Sequence, residues 1–153
     1  MRRSWLALSV VALVVIAGAA PGAQSNTLKG AWKVVAVTTD GKTDTAPQPG
    51  LFIFTDRHYS IQVVREPRQA LPDKATDAQV AAAYNPYTAN SGTYDVKGTT
   101  LTRQVVVAKN PNVMTSKTPA QEELKWEGPG TVYVTGTAAG GSGKVVTKLQ
   151  RIE

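Results

Sequence analysis

The chain has 153 residues, of which 42% are hydrophobic, and its 17 basic and 11 acidic residues give a net charge of +6. This length suits a single domain. The chain has no cysteine, which excludes disulfides and cysteine metal sites. The basic residues are scattered, without the basic and aromatic interleaving of nucleic-acid binders, so we expect no nucleic-acid partner.

The N-terminus has the pattern of a secretory signal peptide. Arg2 and Arg3 precede an apolar core that starts at Trp5, and small residues follow up to Ala23. The core is shorter than the roughly 20 residues of a membrane-spanning helix. We therefore predict a signal peptide at 1–23, cleaved between Ala19 and Ala23, and one barrel domain at 24–153. Without a lipoprotein cysteine, we expect no stable membrane anchor and an exported protein, periplasmic or extracellular.

After the signal, apolar and polar residues alternate over short stretches that Gly, Pro, Asn and Asp residues bound. This period of two is typical of half-buried antiparallel strands. Eight stretches show it: 29–38, 51–55, 59–66, 92–96, 100–109, 122–127, 131–137 and 144–152. The connections are mostly hairpin-like, as at Asp40-Gly41. We predict an all-β fold, an eight-stranded antiparallel up-and-down barrel, which at this strand number encloses its own side chains or one small ligand.

A short helix interrupts the pattern between the third and fourth strands. Thr76 and Gln79 have the spacing of a capping box ahead of 80–84, and Asn85-Pro86 ends the helix. The whole segment 67–89 is too long for a tight hairpin, and such loops often act as lids. It is either a lid, with Tyr84 and Tyr87 as candidate contacts, or a structural plug of one barrel end.

Several motifs together resemble the bacterial and fungal lipocalin-like domain family. They are Gly30-Ala31-Trp32, the hairpin 52–57, the strand 59–63, the helix end 81–84, the strand 91–96 and Asn110-Pro111-Asn112. The resemblance covers nearly all of the mature chain and implies a barrel for small, largely apolar molecules. Two features depart from the pattern: Arg103 and Gln104 stand where members often carry histidines, and the Thr-Asp-Tyr motif of true lipocalins is missing.

The resemblance also implies how one barrel end is closed. In lipocalin-type barrels, a Gly-x-Trp motif opens the first strand and an arginine of the last strand lies on the indole. Here these residues are Gly30, Trp32 and Arg151. A cation–π contact of this kind contributes roughly 0.5–2 kcal/mol. We assign all three residues to barrel closure and not to ligand binding.

The candidate ligand contacts are side chains that we expect to face the barrel interior. They are Phe52, Phe54, Tyr59, Ile61, Tyr94, Arg103, Leu124, Trp126 and Tyr133. Each apolar member is equally compatible with an ordinary packed core. Arg103 shares its strand face with Leu101 and Val105, so it either points inward to hold a ligand carboxylate or carbonyl, or pairs with a carboxylate at the barrel rim.

The sequence offers little for catalysis. The single histidine, His58, lies near Asp56 in a hairpin turn, where a solvated histidine is the ordinary case, so we predict no catalytic residue, no metal and no cofactor. The leading function is capture of a small hydrophobic or amphipathic molecule. The alternatives are an isomerase or cyclase that acts on an apolar substrate in the same cavity, and a protein-interaction or inhibitor module that uses the barrel surface.

Overall fold

The computed structural model describes residues 26–137 and 143–153; the predicted signal peptide and most of the glycine-rich segment 139–143 lie outside them. These residues form nine strands and two short helices. The strands are β1 (Gly30–Thr39), β2 (Lys42–Asp44), β3 (Gly50–Phe54), β4 (His58–Val64), β5 (Tyr87–Lys97), β6 (Thr100–Ala108), β7 (Ala120–Trp126), β8 (Thr131–Thr137) and β9 (Lys144–Arg151). The helices are α1 (Asp77–Tyr84) and α2 (Pro111–Met114).

The sheet closes on itself as a barrel. From β3 to β9 each strand pairs antiparallel with the next, β1 pairs with β3, and β1 also pairs with β9 through a ladder from Trp32–Arg151 to Thr39–Val145. β1 and the seven strands from β3 to β9 therefore form the closed, eight-stranded up-and-down barrel that the alternation predicts. Closure leaves no sheet edge at the β1–β9 seam.

The ninth strand, β2, was not predicted. It is a three-residue strand that pairs with the end of β1, and all its side chains are exposed. It carries no apolar alternation, so the sequence pattern contains no sign of it. The hydroxyls of Thr38 and Thr43 share a hydrogen bond of 2.8 Å across this hairpin.

Two other elements differ from the prediction. β5 begins at Tyr87 and not at Gly92, because residues 87–91 extend the ladder with β4 despite their polar sequence. Helix α2 was not predicted; the Asn110 side chain caps it by accepting from the backbone N–H of Asn112, and Pro111 opens it. Helix α1 has its predicted capping box at Thr76 and follows β4, since β2 adds one strand ahead of it.

One apolar cluster fills part of the barrel. Its members alternate along the strands with more exposed residues, as β3 shows with Phe52 and Phe54 buried on either side of the exposed Ile53. Eleven buried residues form it: Leu28, Trp32, Phe52, Phe54, Tyr59, Ile61, Leu101, Leu124, Val132, Val134 and Leu149. The cluster lies toward one end of the barrel, so the two ends differ in what they enclose.

The connections also distinguish the two ends. The short turns 55–57, 98–99 and 127–130 lie at the end that holds Trp32, which we call the short-turn end. The connections 40–49, 65–86 and 109–119 lie at the opposite end, which we call the long-loop end. In the described ranges, neither helix reaches the length and apolarity that a membrane-spanning helix needs.

Candidate ligand-binding site

The short-turn end is sealed by Trp32. This side chain is fully buried, and its Nε1 donates to the backbone oxygen of Leu28 at 2.6 Å. The Arg151 guanidinium lies 4.1 Å from the centre of the indole ring and donates to the backbone oxygens of Thr27 and Lys29. At Gly30, with φ of +127°, a Cβ would overlap the backbone oxygen of Glu153. A ligand has no route into the barrel through these contacts.

The barrel half next to this seal is filled by side chains. Five of the candidate contacts, Phe52, Phe54, Tyr59, Ile61 and Leu124, belong to the buried cluster. Tyr94 and Trp126 are partly buried and pack against it. The Phe54 and Tyr94 rings meet edge to face, with centroids 5.1 Å apart. This half is ordinary core apart from one group, the Tyr59 hydroxyl.

Tyr133 is the exception among the candidates, and the expectation that it faces the interior is wrong. Its neighbours Val132 and Val134 are the buried residues of β8, so Tyr133 lies on the outer face of the barrel. There its hydroxyl donates to Glu127 at 2.8 Å, and the Lys148 ammonium lies 5.1 Å from the ring centre. Both partners stabilise the Tyr133 ring on the outer face of the barrel.

Above the packed half, Arg103 points into the barrel and binds Glu122. Its Nε and Nη2 each donate to one carboxylate oxygen at 2.6 Å, the bidentate geometry of a strong charge-assisted pair. Nη1 donates to the Asn90 side-chain oxygen at 3.2 Å. The side chains of Arg103 and Glu122 are only 11% and 17% exposed. Arg103 therefore combines both orientations that the sequence left open, since it is inward-facing and also paired with a carboxylate.

Tyr59 completes this group of polar side chains, and we call Tyr59, Asn90, Arg103 and Glu122 the polar cluster. The Arg103 guanidinium lies 5.0 Å from the centre of the Tyr59 ring. The Tyr59 hydroxyl is buried and has no hydrogen-bond partner of standard geometry within the described residues, although the Arg103 guanidinium is close enough to influence its pKa. Such an unsatisfied buried donor costs roughly 1–3 kcal/mol. The fold therefore carries a free hydroxyl beside a buried ion pair.

Arg103 keeps its charge and Tyr59 stays neutral around neutral pH. Burial opposes the charge on Arg103, but the hydrogen bonds and the attraction of Glu122 outweigh it and leave its pKa above the ordinary value. Burial raises the pKa of the Tyr59 hydroxyl, and the positive charge of Arg103 only partly opposes that rise. Tyr59 is consequently a neutral hydrogen-bond donor, and Arg103 is a permanent cation.

A cavity of about 310 Å³ lies at the long-loop end, between the end of β6, the start of β7 and the segment that connects them, and we call it the mouth cavity. It is lined by Val105, Asn112, Val113, Ser116, Thr118 and Ala120. The β6–β7 ladder ends at the pair Arg103–Ala120, so the cavity begins where these two strands separate and α2 covers the gap. Val105, Val113 and Ala120 supply the apolar part of its lining. Its walls are therefore suited to an apolar group.

A second cavity, of about 280 Å³, lies at the short-turn end among Leu28, Asp56, Tyr94, Asp95, Trp126 and their neighbours. The Asp56 carboxylate at its edge binds Lys29 at 2.7 Å, and this ammonium holds the pKa of Asp56 below its ordinary value. Both side chains are largely exposed. This cavity borders the seal, and its lining combines Leu28, Tyr94 and Trp126 of the core with exposed polar residues.

The histidine gives no sign of catalysis. His58 is exposed at the start of β4, and its backbone N–H bonds the Thr55 hydroxyl at 3.1 Å. The nearby Asp56 is bound to Lys29. Within the ranges 26–137 and 143–153, no group of three or more His, Cys, Asp or Glu side chains could hold a metal ion.

Helix α1 does not plug the barrel, because none of its residues is buried. It is held from its C-terminal end, where Lys109 Nζ donates to the backbone oxygens of Tyr84, of Asn85 at 3.2 Å and of Tyr87 at 2.8 Å. Arg68 Nε donates to the Ala83 oxygen at 2.7 Å. The helix is thus tethered at the long-loop end by cations at its negative dipole end and not by packing.

We expect Lys109→Met to release this helix without unfolding the barrel. Loss of the ammonium leaves the last carbonyls of α1 without their partner, and nothing buried holds the helix in place. Amide hydrogen exchange in residues 66–86 should speed up by at least tenfold, while exchange in β8 stays unchanged. Lys117→Met is the control for loss of a lysine at this end. Unchanged exchange in 66–86 would contradict the tether.

Sequence reasoning identified Arg103 but missed Glu122 and Asn90. The alternation of β7 places Glu122 on the same face as Leu124 and Trp126, and a carboxylate on an apolar face is a signal for a buried ion pair. Asn90 carried no signal, because its strand segment was predicted as a loop.

Comparison with known proteins identifies one matching family. The model of a family described as the lipocalin-like domain matches residues 29–135. Among curated proteins, no sequence matches the chain.

Three solved structures resemble the chain in shape. A lipocalin-like protein from Bacteroides uniformis has 12% identity and a TM-score of 0.49, with 82% of this chain and 98% of that chain covered. A redesigned β-barrel has 19% identity and a TM-score of 0.46, with coverage of 82% and 92%. An uncharacterized protein from Bacteroides eggerthii has 9% identity and a TM-score of 0.47, with coverage of 82% and 99%.

Proposed function

We propose that this chain, which belongs to the lipocalin-like domain family, binds a small amphipathic molecule from the long-loop end of its barrel. The observation that carries the proposal is the polar cluster, a buried ion pair and an unsatisfied hydroxyl in a largely apolar core, whose Arg103 pairs in the sheet with Ala120 of the mouth cavity. A ligand pocket is typically apolar with a few placed polar groups that fix orientation. The opposite end is sealed by Trp32 and Arg151, so the ligand enters between the long connections.

The packed half limits how deep the ligand reaches. Phe52, Phe54 and Ile61 belong to the same buried core as the Tyr59 ring, and we assign them to the core and not to ligand contact. The apolar part of the ligand instead contacts Val105, Val113 and Ala120. The site is shallow compared with the whole barrel, which favours a small molecule over a long chain.

Export remains part of the proposal. The signal-like segment, with Arg2 and Arg3 ahead of an apolar core, supports a protein that meets its ligand in the periplasm or outside the cell. The absence of cysteine in the sequence fits an oxidising compartment in which the fold needs no disulfide.

Blocking the mouth cavity tests the proposal. We expect Ala120→Trp to weaken binding of the apolar fluorophore N-phenylnaphthylamine by at least tenfold, because the indole fills the wall opposite Arg103. The readout is a fluorescence titration of the protein without its signal segment. Gln121→Trp is the matched control, since Gln121 is exposed and lies on the other face of β7. Equal effects of both variants, or no binding by the unmodified protein, would refute the proposal.

A further inference from the structure

We propose that the ligand group held by the polar cluster is an uncharged carbonyl oxygen, of a ketone, ester or amide. This inference rests on the proposed function and adds the chemistry of the ligand. It follows from which hydrogen-bonding groups of the cluster are already used and which are free.

The free groups of the cluster are donors. The Tyr59 hydroxyl has no partner within the described residues, although the residue is only 3% exposed. The guanidinium of Arg103 makes three hydrogen bonds, two to Glu122 and one to Asn90, and it carries more N–H groups than these bonds use. A ligand that supplies an acceptor therefore satisfies donors that the folded protein leaves open.

The charge of the cluster selects a neutral acceptor. Glu122 already neutralises Arg103 in a bidentate pair, so the cluster has no net charge. A carboxylate would lose its hydration and bring a second negative charge close to Glu122. An ammonium group would face the positive charge of Arg103, which already binds both oxygens of Glu122. A carbonyl oxygen accepts from Tyr59 and Arg103 without bringing a negative charge close to Glu122 or a positive charge close to Arg103.

The cluster is also within reach of a ligand. Arg103 and Glu122 keep 11% and 17% exposure, so the ion pair is partly accessible. The Tyr59 hydroxyl beside it is covered, so a ligand group reaches this hydroxyl as neighbouring side chains of the cluster shift. Arg103 pairs in the sheet with Ala120, which lines the mouth cavity. A molecule with its apolar part in this cavity would place its polar end toward the cluster.

Two probes of the same chain length separate carbonyl from carboxylate. Methyl heptyl ketone and octanoate carry the same alkyl chain and differ in the charge of the polar end. We expect isothermal titration calorimetry at neutral pH to show the ketone binding at least tenfold more tightly than octanoate. Octanoate binding as tightly as the ketone would overturn the inference.

Tyr59→Phe tests the hydroxyl without changing the packing of the ring. We expect the affinity for methyl heptyl ketone to fall about five- to tenfold, and the melting temperature to stay the same or rise, because the hydroxyl is unsatisfied in the unliganded fold. A purely structural role would give the opposite signature, a lower melting temperature with unchanged ketone binding. Tyr133→Phe is the control; it removes a tyrosine hydroxyl from the outer face and should leave ketone affinity unchanged.

Glu122→Gln tests the charge argument. The variant removes the negative charge that neutralises Arg103, so the ratio of octanoate to ketone affinity should rise by tenfold or more. A ratio that does not change in folded protein would overturn the inference. If this variant does not fold, the inference is tested by Tyr59→Phe and by the comparison of methyl heptyl ketone with octanoate.

Failure of the inference and failure of the proposed function give different results. If N-phenylnaphthylamine binds and Ala120→Trp weakens it, but the ketone has no advantage over octanoate, the mouth cavity binds ligands and only the carbonyl assignment is wrong. If neither the fluorophore nor the ketone binds, both are refuted.

Discussion

Trp32→Ala should lower the free energy of unfolding by about 3–5 kcal/mol, the range for a large aromatic removed from a core. Trp32 is fully buried, and the truncation leaves a cavity where the first and last strands meet. It also removes the hydrogen bond to Leu28, the edge contact with Trp126 at a centroid distance of 5.9 Å and the ring beneath Arg151. Urea denaturation followed by circular dichroism measures this loss.

Trp126→Ala is the size-matched control for this experiment. Trp126 is only partly buried and packs on the edge of the core, so we expect a smaller loss. A loss below about 2 kcal/mol for Trp32→Ala would mean that the short-turn end repacks around the gap, since the cost of truncation depends on how well a site collapses. In that case Trp32 would not be the seal of the barrel.

The strands that alternate clearly were predictable, and those that do not were missed. β8 was predicted with its observed bounds because Val132 and Val134 share one face of the stretch and Gly128-Pro129-Gly130 precedes it. β2 and the first half of β5 have no apolar face, so only backbone pairing with β1 and β4 defines them. Such strands depend on tertiary pairing, which single-sequence periodicity does not contain.

Side-chain direction was predictable only where one face of a strand is apolar. On β8 the run Val132-Tyr133-Val134 is apolar on both faces, and the bulkier ring was wrongly assigned to the interior. The valines fill the space next to Leu124 and Leu149, while Lys148 and Glu127 bind the tyrosine outside. Which face of β8 points inward therefore depends on residues of the neighbouring strands.

The site itself was half predictable. Alternation placed Arg103 inside, but its partner depends on the register between β6 and β7, and in this register Glu122 lies opposite Leu101, next to Arg103. The connection between these strands contains α2, which the sequence pattern did not reveal. The mouth cavity lies under this helix and was for that reason not predictable.

Removing one partner of the buried Arg103–Glu122 pair should lower the free energy of unfolding nearly as much as Trp32→Ala does. Arg103→Leu leaves the buried Glu122 carboxylate without its partner, and Glu122→Leu does the same to the guanidinium. Each change should lower the free energy of unfolding by about 3–5 kcal/mol. The double variant should recover most of this loss, because apolar residues of similar volume often replace a buried ion pair without net cost. The measurement is a double-mutant cycle from urea denaturation. Lys148 and Glu127, an ion pair on the outer face, supply the control cycle, in which single changes should have much smaller effects.

The outcome of this cycle bears on why the barrel keeps a charged pair inside. If the apolar double variant is as stable as the unmodified protein, stability does not explain Arg103 and Glu122, and binding is the remaining reason for a site that leaves Tyr59 unsatisfied. The same variant should then have lost its preference for methyl heptyl ketone while still binding N-phenylnaphthylamine. If the double variant loses as much free energy of unfolding as the two single variants together, the pair is a structural element of the barrel. The polar cluster would then not be a binding site.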